Sequence, residues 1–185
     1  MPPPGQKHSF IQNALIVAMQ EPSFVFALPQ LRLSTWDDLL MRNDASCERE
    51  RLEFVGDALM HTCVALQLYK LFPQGTPGLY TVSLFRILHS PRTLQRSPAS
   101  QTLRAALTTN ATFTHFMVHV GAFDRCPTGR TKVAADAFET VIAAYYMESG
   151  FDALCTWVAD MLKPLIAVAE KASVDLYDIV YSALM

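Results

Sequence analysis

Two stretches of the chain space carboxylates in a way that suits chemistry. The first is "ERERLEFVGDALMH" (48–61), in which Glu50, Glu53 and Asp57 stand three and four residues apart. On a helix, at 100° per residue, the three fall within about 60° of one another. After Asp57 no further charge appears until Lys70. A carboxylate beside such a dry stretch is stable when it is paired or bound to a cation. The second stretch, "KVAADAFETVIAAYYMESG" (132–150), repeats the device with Asp136 and Glu139 at i, i+3 and Lys132 one turn before.

Two apolar helices that each carry a close carboxylate pair suggest one shared site. Four carboxylates with no Cys or His pair suit a hard, oxygen-liking cation, Mg²⁺ or Mn²⁺. A di-iron bundle would need Glu-x-x-His on two helices, but Glu53 and Glu139 are followed at +3 by Gly56 and Ile142. The alternative for the first stretch is a solvated charged face neutralised by Arg49 and Arg51. Against it, both arginines point about 100° away from the acidic row. Gly56 costs about 1 kcal/mol in a helix interior and would admit a close neighbour. His61, one turn past Asp57, reads as a satisfied core histidine, because no metal-ligand spacing is completed.

The elements that must position these residues are helices. The pattern predicts helices over 10–20, 36–42 (with Ser34 or Thr35 as N-cap), 47–72, 80–89, 100–108, 131–149, 151–170 and 174–184. Segment 113–120 is ambiguous. Gly150 reads as a helix stop and Pro164 as a break. In the first acidic helix Leu52, Val55 and Leu59 are expected to face the core, and in the second Val133, Ala137, Val141, Ala144 and Tyr145. The fold class is all-α. Residues 1–9, rich in Pro, are expected to be disordered, and 10–185 to form a single domain.

At this point the residues resemble a known family. "ERLEFVGDAL" (50–59) is similar to the signature of the ribonuclease III endonuclease domain, the nuclease unit also found in Drosha and Dicer. "KVAADAFETVIAAYY" (132–146) resembles its second acidic motif, and "TPGLYTVSLFRILHSPRTL" (76–94) loosely its middle segment. The resemblance covers roughly residues 30–168 and leaves a C-terminal helical extension. The first motif is specific in its residue order; the second gains specificity from its distance to the first.

The resemblance implies a divalent-metal-dependent endoribonuclease that cuts double-stranded RNA, leaving 5′ phosphates and short 3′ overhangs. It assigns Glu53, Asp57, Asp136 and Glu139 as the catalytic, metal-binding set. Within that set, Glu139 and Glu53 are the expected central ligands, with Asp57 and Asp136 completing the shell. Glu50 and Lys132 take supporting roles. Phe54 matches the aromatic that inserts into a partner subunit, which implies a homodimer. Candidate RNA contacts are Arg86, Arg92, Arg96, Arg104, Arg125, Arg130 and Lys132. The middle segment departs from the family pattern: Pro77 and Leu79 flank Gly78, and Val82 and Leu84 replace charged residues. No double-stranded-RNA-binding domain is expected to follow. A catalytically silent RNA-binding or ribosome-associated relative of the family is therefore the alternative.

Composition narrows the classes further. The 185 residues are 51% apolar and 17% charged, enough for one full core. The formal net charge of −2 argues against tight unaided binding of nucleic acid. An accessory RNA-binding protein would supply the missing charge. No apolar run reaches the roughly 18–20 residues of a membrane span. The four cysteines, Cys47, Cys63, Cys126 and Cys155, are widely spaced. Free thiols fit a reducing intracellular compartment, cytoplasm or nucleus, with the mitochondrion left open.

Overall fold

A computed structural model describes residues 4–36, 46–71, 102–123 and 131–182. Among them every regular element is a helix: α1 (Pro4–Gln20), α2 (Ser46–Leu71), α3 (Thr102–Leu107), α4 (Asn110–His119) and α5 (Thr131–Ser182). The long α5 is the hub, with α1, α2 and α4 all packed against it. The expected helix over 80–89 lies outside the described residues, as does the middle segment with Pro77, Leu79, Val82 and Leu84.

Helix α1 begins earlier than the sequence suggests. Residues 4–9 continue the helix toward the N-terminus rather than forming the disordered segment expected there. Pro4 stands at the first helical position, where a missing N–H breaks no intrahelical bond. The expected N-cap at Ser34 or Thr35 is also corrected. Residues 33–36 already form a helical turn. The Arg32 backbone N–H donates to the Glu148 carboxylate at 3.2 Å, and the Thr35 hydroxyl bonds the same group. Helix α4 resolves the ambiguous segment 113–120. Thr109 caps it, in an extended conformation, by accepting from the Thr112 N–H at 3.2 Å.

Helix α5 turns at Gly150, where φ is 82° and ψ 176°. That left-handed φ suits glycine alone and divides the element into 131–149 and 151–182. Neither of the other expected breaks occurs. Pro164 remains inside the helix on an exposed face, where water can take the carbonyl it leaves unbonded. Residues 171–173 are Lys-Ala-Ser, with no breaker to stop the helix, so it runs on to Ser182.

The core is a layer of aromatic and aliphatic side chains between α4 and α5. The Phe113 and Phe138 ring centroids lie 4.9 Å apart, and those of Phe116 and Phe138 5.4 Å apart. An extended strap over 24–28 closes one side. Phe24, Phe26 and Leu28 alternate inward against this core, and Phe26 meets Phe116 at 4.5 Å. On α2 the buried stripe runs through Gly56, Met60, Cys63, Val64, Gln67 and Leu68. The expected core residues Leu52, Val55 and Leu59 are only half-buried. On the first part of α5 the buried residues are Ala134, Ala135 and the run from Phe138 through Ala144, which includes the expected Val141 and Ala144; Ala137 and Tyr145 are half-buried and Val133 is 57% exposed. The acidic rows thus lie along the buried stripes, because the two helices approach one another on those very faces.

Candidate metal centre

Helices α2 and α5 cross with Gly56 against the backbone of Glu139. A Cβ at position 56 would stand 1.9 Å from the Glu139 carbonyl oxygen, an impossible contact. Only a residue without a side chain allows this approach, which is the use that offsets its helical cost. Glu53 and Asp57 flank Gly56 by three residues and one residue on α2. Asp136 lies one turn before Glu139 on α5.

This crossing gathers three carboxylates. One oxygen from each of Glu53, Asp136 and Glu139 lies within 4.8 Å of the others. Glu139 is 5% exposed, and its carboxyl is pushed up to about 7. The first cause is burial, which penalises the charged form. The charges of Asp57, Asp136 and Glu53 add to it, and Lys132 opposes it. Lys132 reaches over from the start of α5, its Nζ 2.7 Å from Asp136 Oδ2 and 3.3 Å from Glu53 Oε1. The two carboxylates hold its ammonium protonated. Its side chain is 69% exposed, so it shields the cluster from outside rather than filling it. The donor set fits a hard divalent cation: all oxygen, anionic, convergent, and with one carboxylate too buried to be relieved by water.

Asp57 is not part of this trio. It turns toward His61, whose Nε2 stands 3.3 Å from Asp57 Oδ1. His61 is half-exposed rather than a core residue, and its Nδ1 lies 3.4 Å from the buried Thr108 hydroxyl. The Asp57–His61 contact has a sequence signal, acid and imidazole at i, i+4 on one face. The Thr108 contact has none, since it comes from a separate helix. Arg51 pairs with Glu48 at 2.9 Å, so it does not neutralise the acidic row. Glu50 is exposed and stands away from the trio, sharing a shallow open groove with Cys47, Arg51, Phe54 and Val55. Phe54 is 77% exposed. Among the RNA-contact candidates, Arg104 lies half-buried on α3 and Lys132 at the trio. Arg86, Arg92, Arg96, Arg125 and Arg130 lie outside the described residues.

Carboxylates pooled where two helices cross are a donor set that could hold a divalent ion. The family follows from comparison. Residues 50–150 match the model of the ribonuclease III domain, more than half of the chain, and the chain belongs to that family. It is similar to "Ribonuclease 3" of Treponema denticola, 32% identical over 138 residues that cover 73% of this chain and 51% of that protein. "Ribonuclease 3" of Geobacillus sp. is 31% identical over 121 residues, 64% of this chain and 44% of its own length. That of Bartonella quintana is 35% identical over 103 residues, 55% and 39% respectively. The chain therefore spans about half the length of the curated relatives it matches. No solved structure matches it.

Proposed function

We propose that this protein is an endoribonuclease that hydrolyses double-stranded RNA with the help of a divalent ion, Mg²⁺ in the first instance and Mn²⁺ as a substitute. The observation that carries this reading is the carboxylate trio at the Gly56 crossing, in a chain of the ribonuclease III domain family. Glu53, Asp136 and Glu139 would hold the ion, with Asp57 beside them. When bound, the ion supplies neutralisation of the charge that builds on the scissile phosphate and polarises its oxygens.

The chain's own groups do the rest. Glu139, buried and flanked by acids, would give up its proton where an ion is held. Lys132, anchored by Asp136 and Glu53 and open to solvent, is placed to meet a phosphate of the duplex. Arg104 and the arginines at 86, 92, 96, 125 and 130 are candidates for contacts further along the backbone, which is read by shape and charge rather than by base. The products are expected to carry 5′ phosphates and short 3′ overhangs. Homodimerisation through Phe54 fits the exposure of that ring, and two copies would align two sites along one duplex. An accessory RNA-binding protein would supplement a chain with a net charge of −2. Free Cys47, Cys63 and Cys155 suit a reducing compartment, cytoplasm, nucleus or mitochondrion.

The test is cleavage of a long RNA duplex with Mg²⁺, repeated with Glu139→Ala. Cleavage by wild type is expected, with at least about a hundredfold loss in the variant, as removal of metal-site groups costs. Uncut RNA with well-folded wild type, or equal cleavage by the variant, would overturn the reading. Duplex binding indifferent to Mg²⁺ and without products would instead favour a silent RNA-binding module.

A further inference from the structure

We propose that Cys63 and Cys155 form a reversible redox site, a thiol pair that hydrogen peroxide converts to a disulfide joining α2 to the second part of α5. The inference stands apart from the ion-binding reading. The two sulfurs lie 3.4 Å apart across the helix interface and share a hydrogen bond that either thiol can donate. A disulfide holds its sulfurs about 2.05 Å apart, so closure takes a movement of about 1.4 Å. A second contact keeps the pair in register. Gln67, one turn after Cys63 on α2 and itself buried, donates from Nε2 to the Cys155 carbonyl at 3.3 Å. Cys155 is thus held to α2 by both its side chain and its backbone, between the buried Leu154 and Val158. Cys47 cannot compete within the chain, since it lies near the start of α2, about 24 Å from Cys63 along the helix axis.

The two thiols are unequal, which orders the chemistry. Cys63 is fully buried and Cys155 only half-buried. Burial pushes the Cys63 thiol up to about 12, and the hydrogen bond with Cys155 and the charge of Cys155 add to it. Cys155 therefore reacts first. Its thiolate, having lost its proton to solvent, attacks one oxygen of the peroxide. The O–O bond breaks, leaving a sulfenic acid on Cys155 and a hydroxide that takes up a proton as water. The Cys63 sulfur, giving up its own proton, then attacks the sulfenic sulfur. An S–S bond forms, the S–O bond breaks, and the hydroxyl leaves with a proton as a second water. The two thiols lose two electrons and two protons, and the peroxide gains both. A thiol reductant reverses the bond by exchange.

The consequence falls on the bend in α5. Helix α2 touches α5 on both sides of Gly150, with Gly56 against Glu139 before it and Cys63 against Cys155 after it. In the reduced protein both contacts are non-covalent. The disulfide makes the second one covalent and fixes the part of α5 after the bend to the helix that carries Glu53 and Asp57. It also closes the chain from 63 to 155 into a loop. A loop that long removes much of the freedom of the unfolded chain, so the oxidised protein resists unfolding more strongly.

The test is to treat the full chain, reduced and then freed of reductant, with hydrogen peroxide and digest it without reduction. Mass spectrometry is expected to show the peptides of Cys63 and Cys155 joined, and dithiothreitol to part them. Cys155 joined to Cys47 or Cys126 instead, or carried on to sulfinic acid with Cys63 left as a thiol, would overturn the proposal. The oxidised protein should melt about 5–15 °C above the reduced one. An unchanged or lower melting temperature would mean that the fold does not hold the pair ready to close, and would overturn it as well. Cys155→Ala should abolish the shift and leave Cys63 a thiol under peroxide; a shift that persists would place the effect elsewhere and overturn the proposal. Should that variant fail to fold, the wild type supplies the control in guanidinium chloride. There the four cysteines should pair without preference, and the same pairing pattern in folded and unfolded chains would overturn the assignment.

Discussion

The two faces of α2 are built by opposite rules. One face carries Glu53, Gly56, Asp57 and Met60 and lies against α5, so close that one residue must lack a side chain. The other carries Phe54 and Val55 and is half-buried or open. On the first, charge sits in a tight, mostly dry contact; on the second, an aromatic ring faces water. Apolar residues on a surface need no explanation singly. Here they lie on the helix that carries the acids, so one short motif carries the proposed ion-binding face and the proposed assembly face together.

Breaking the inner face should give the largest effect. Gly56→Ala forces a methyl group into the Glu139 backbone. Overpacking of this kind costs about 3 kcal/mol or more. Denaturant unfolding should show the loss, and Mn²⁺ binding should vanish even in the folded fraction, because the helices must separate to admit the methyl. Normal Mn²⁺ affinity in the variant would mean that the close crossing does not set the site.

Breaking the outer face should act on assembly instead. Phe54→Ala is expected to weaken the proposed dimer by about 2 kcal/mol or more, roughly thirtyfold, as loss of an aromatic anchor does. Sedimentation would show monomers, with Mn²⁺ binding per chain unchanged. A variant that remains fully dimeric removes Phe54 from the anchor role; one that also loses Mn²⁺ binding would mean that the two faces are not separable.

A third, more gradual effect is a pH dependence confined to the inner face. Glu139 holds its proton up to about pH 7, well above the ordinary carboxylate range near 4.5. Between those values the folded metal-free protein binds more protons than the unfolded chain, so its stability falls as pH rises, by at most about 1.4 kcal/mol per unit. Mg²⁺ replaces the proton and should flatten the dependence. Thermal melts from pH 4.5 to 8, with and without Mg²⁺, measure it. Stability that rises across that window without metal would contradict the assignment.

The acidic rows are legible in the sequence because a helix fixes which residues share a face, and three of the four expected carboxylates meet at one point. The core stripe of α2 is not legible in the same way. Leu52, Val55 and Leu59 look like core, yet burial follows a neighbouring line through Gly56, Met60, Cys63, Val64, Gln67 and Leu68, in which a glycine and an amide interrupt the apolar signal. The α2–α5 crossing is made where a side chain is missing, and no hydropathy pattern records that. The placement of Lys132 depends on a partner from another element, the α2 carboxylate Glu53. Likewise the helical start at Pro4 and the unbroken run through Pro164 depend on where each proline falls within a turn. Local signals mark a proline as a breaker; position decides whether there is anything to break.

The strap over 24–28 has a consequence for the order of folding. Phe24 and Phe26 rest on Phe116, Phe138 and Trp157, side chains from about 90 to 130 positions later. Glu53 and Asp136 are likewise far apart along the chain. Contacts of such long range require large loops to close before they repay the entropy lost. A ribosome must therefore deliver the start of α5, through Glu139, before the carboxylates can meet, and reach Trp157 before the strap can seat fully. Until then the chain is a set of helices with neither a closed core nor a place for an ion, so the capacity for chemistry arrives late and together with the last large step of burial.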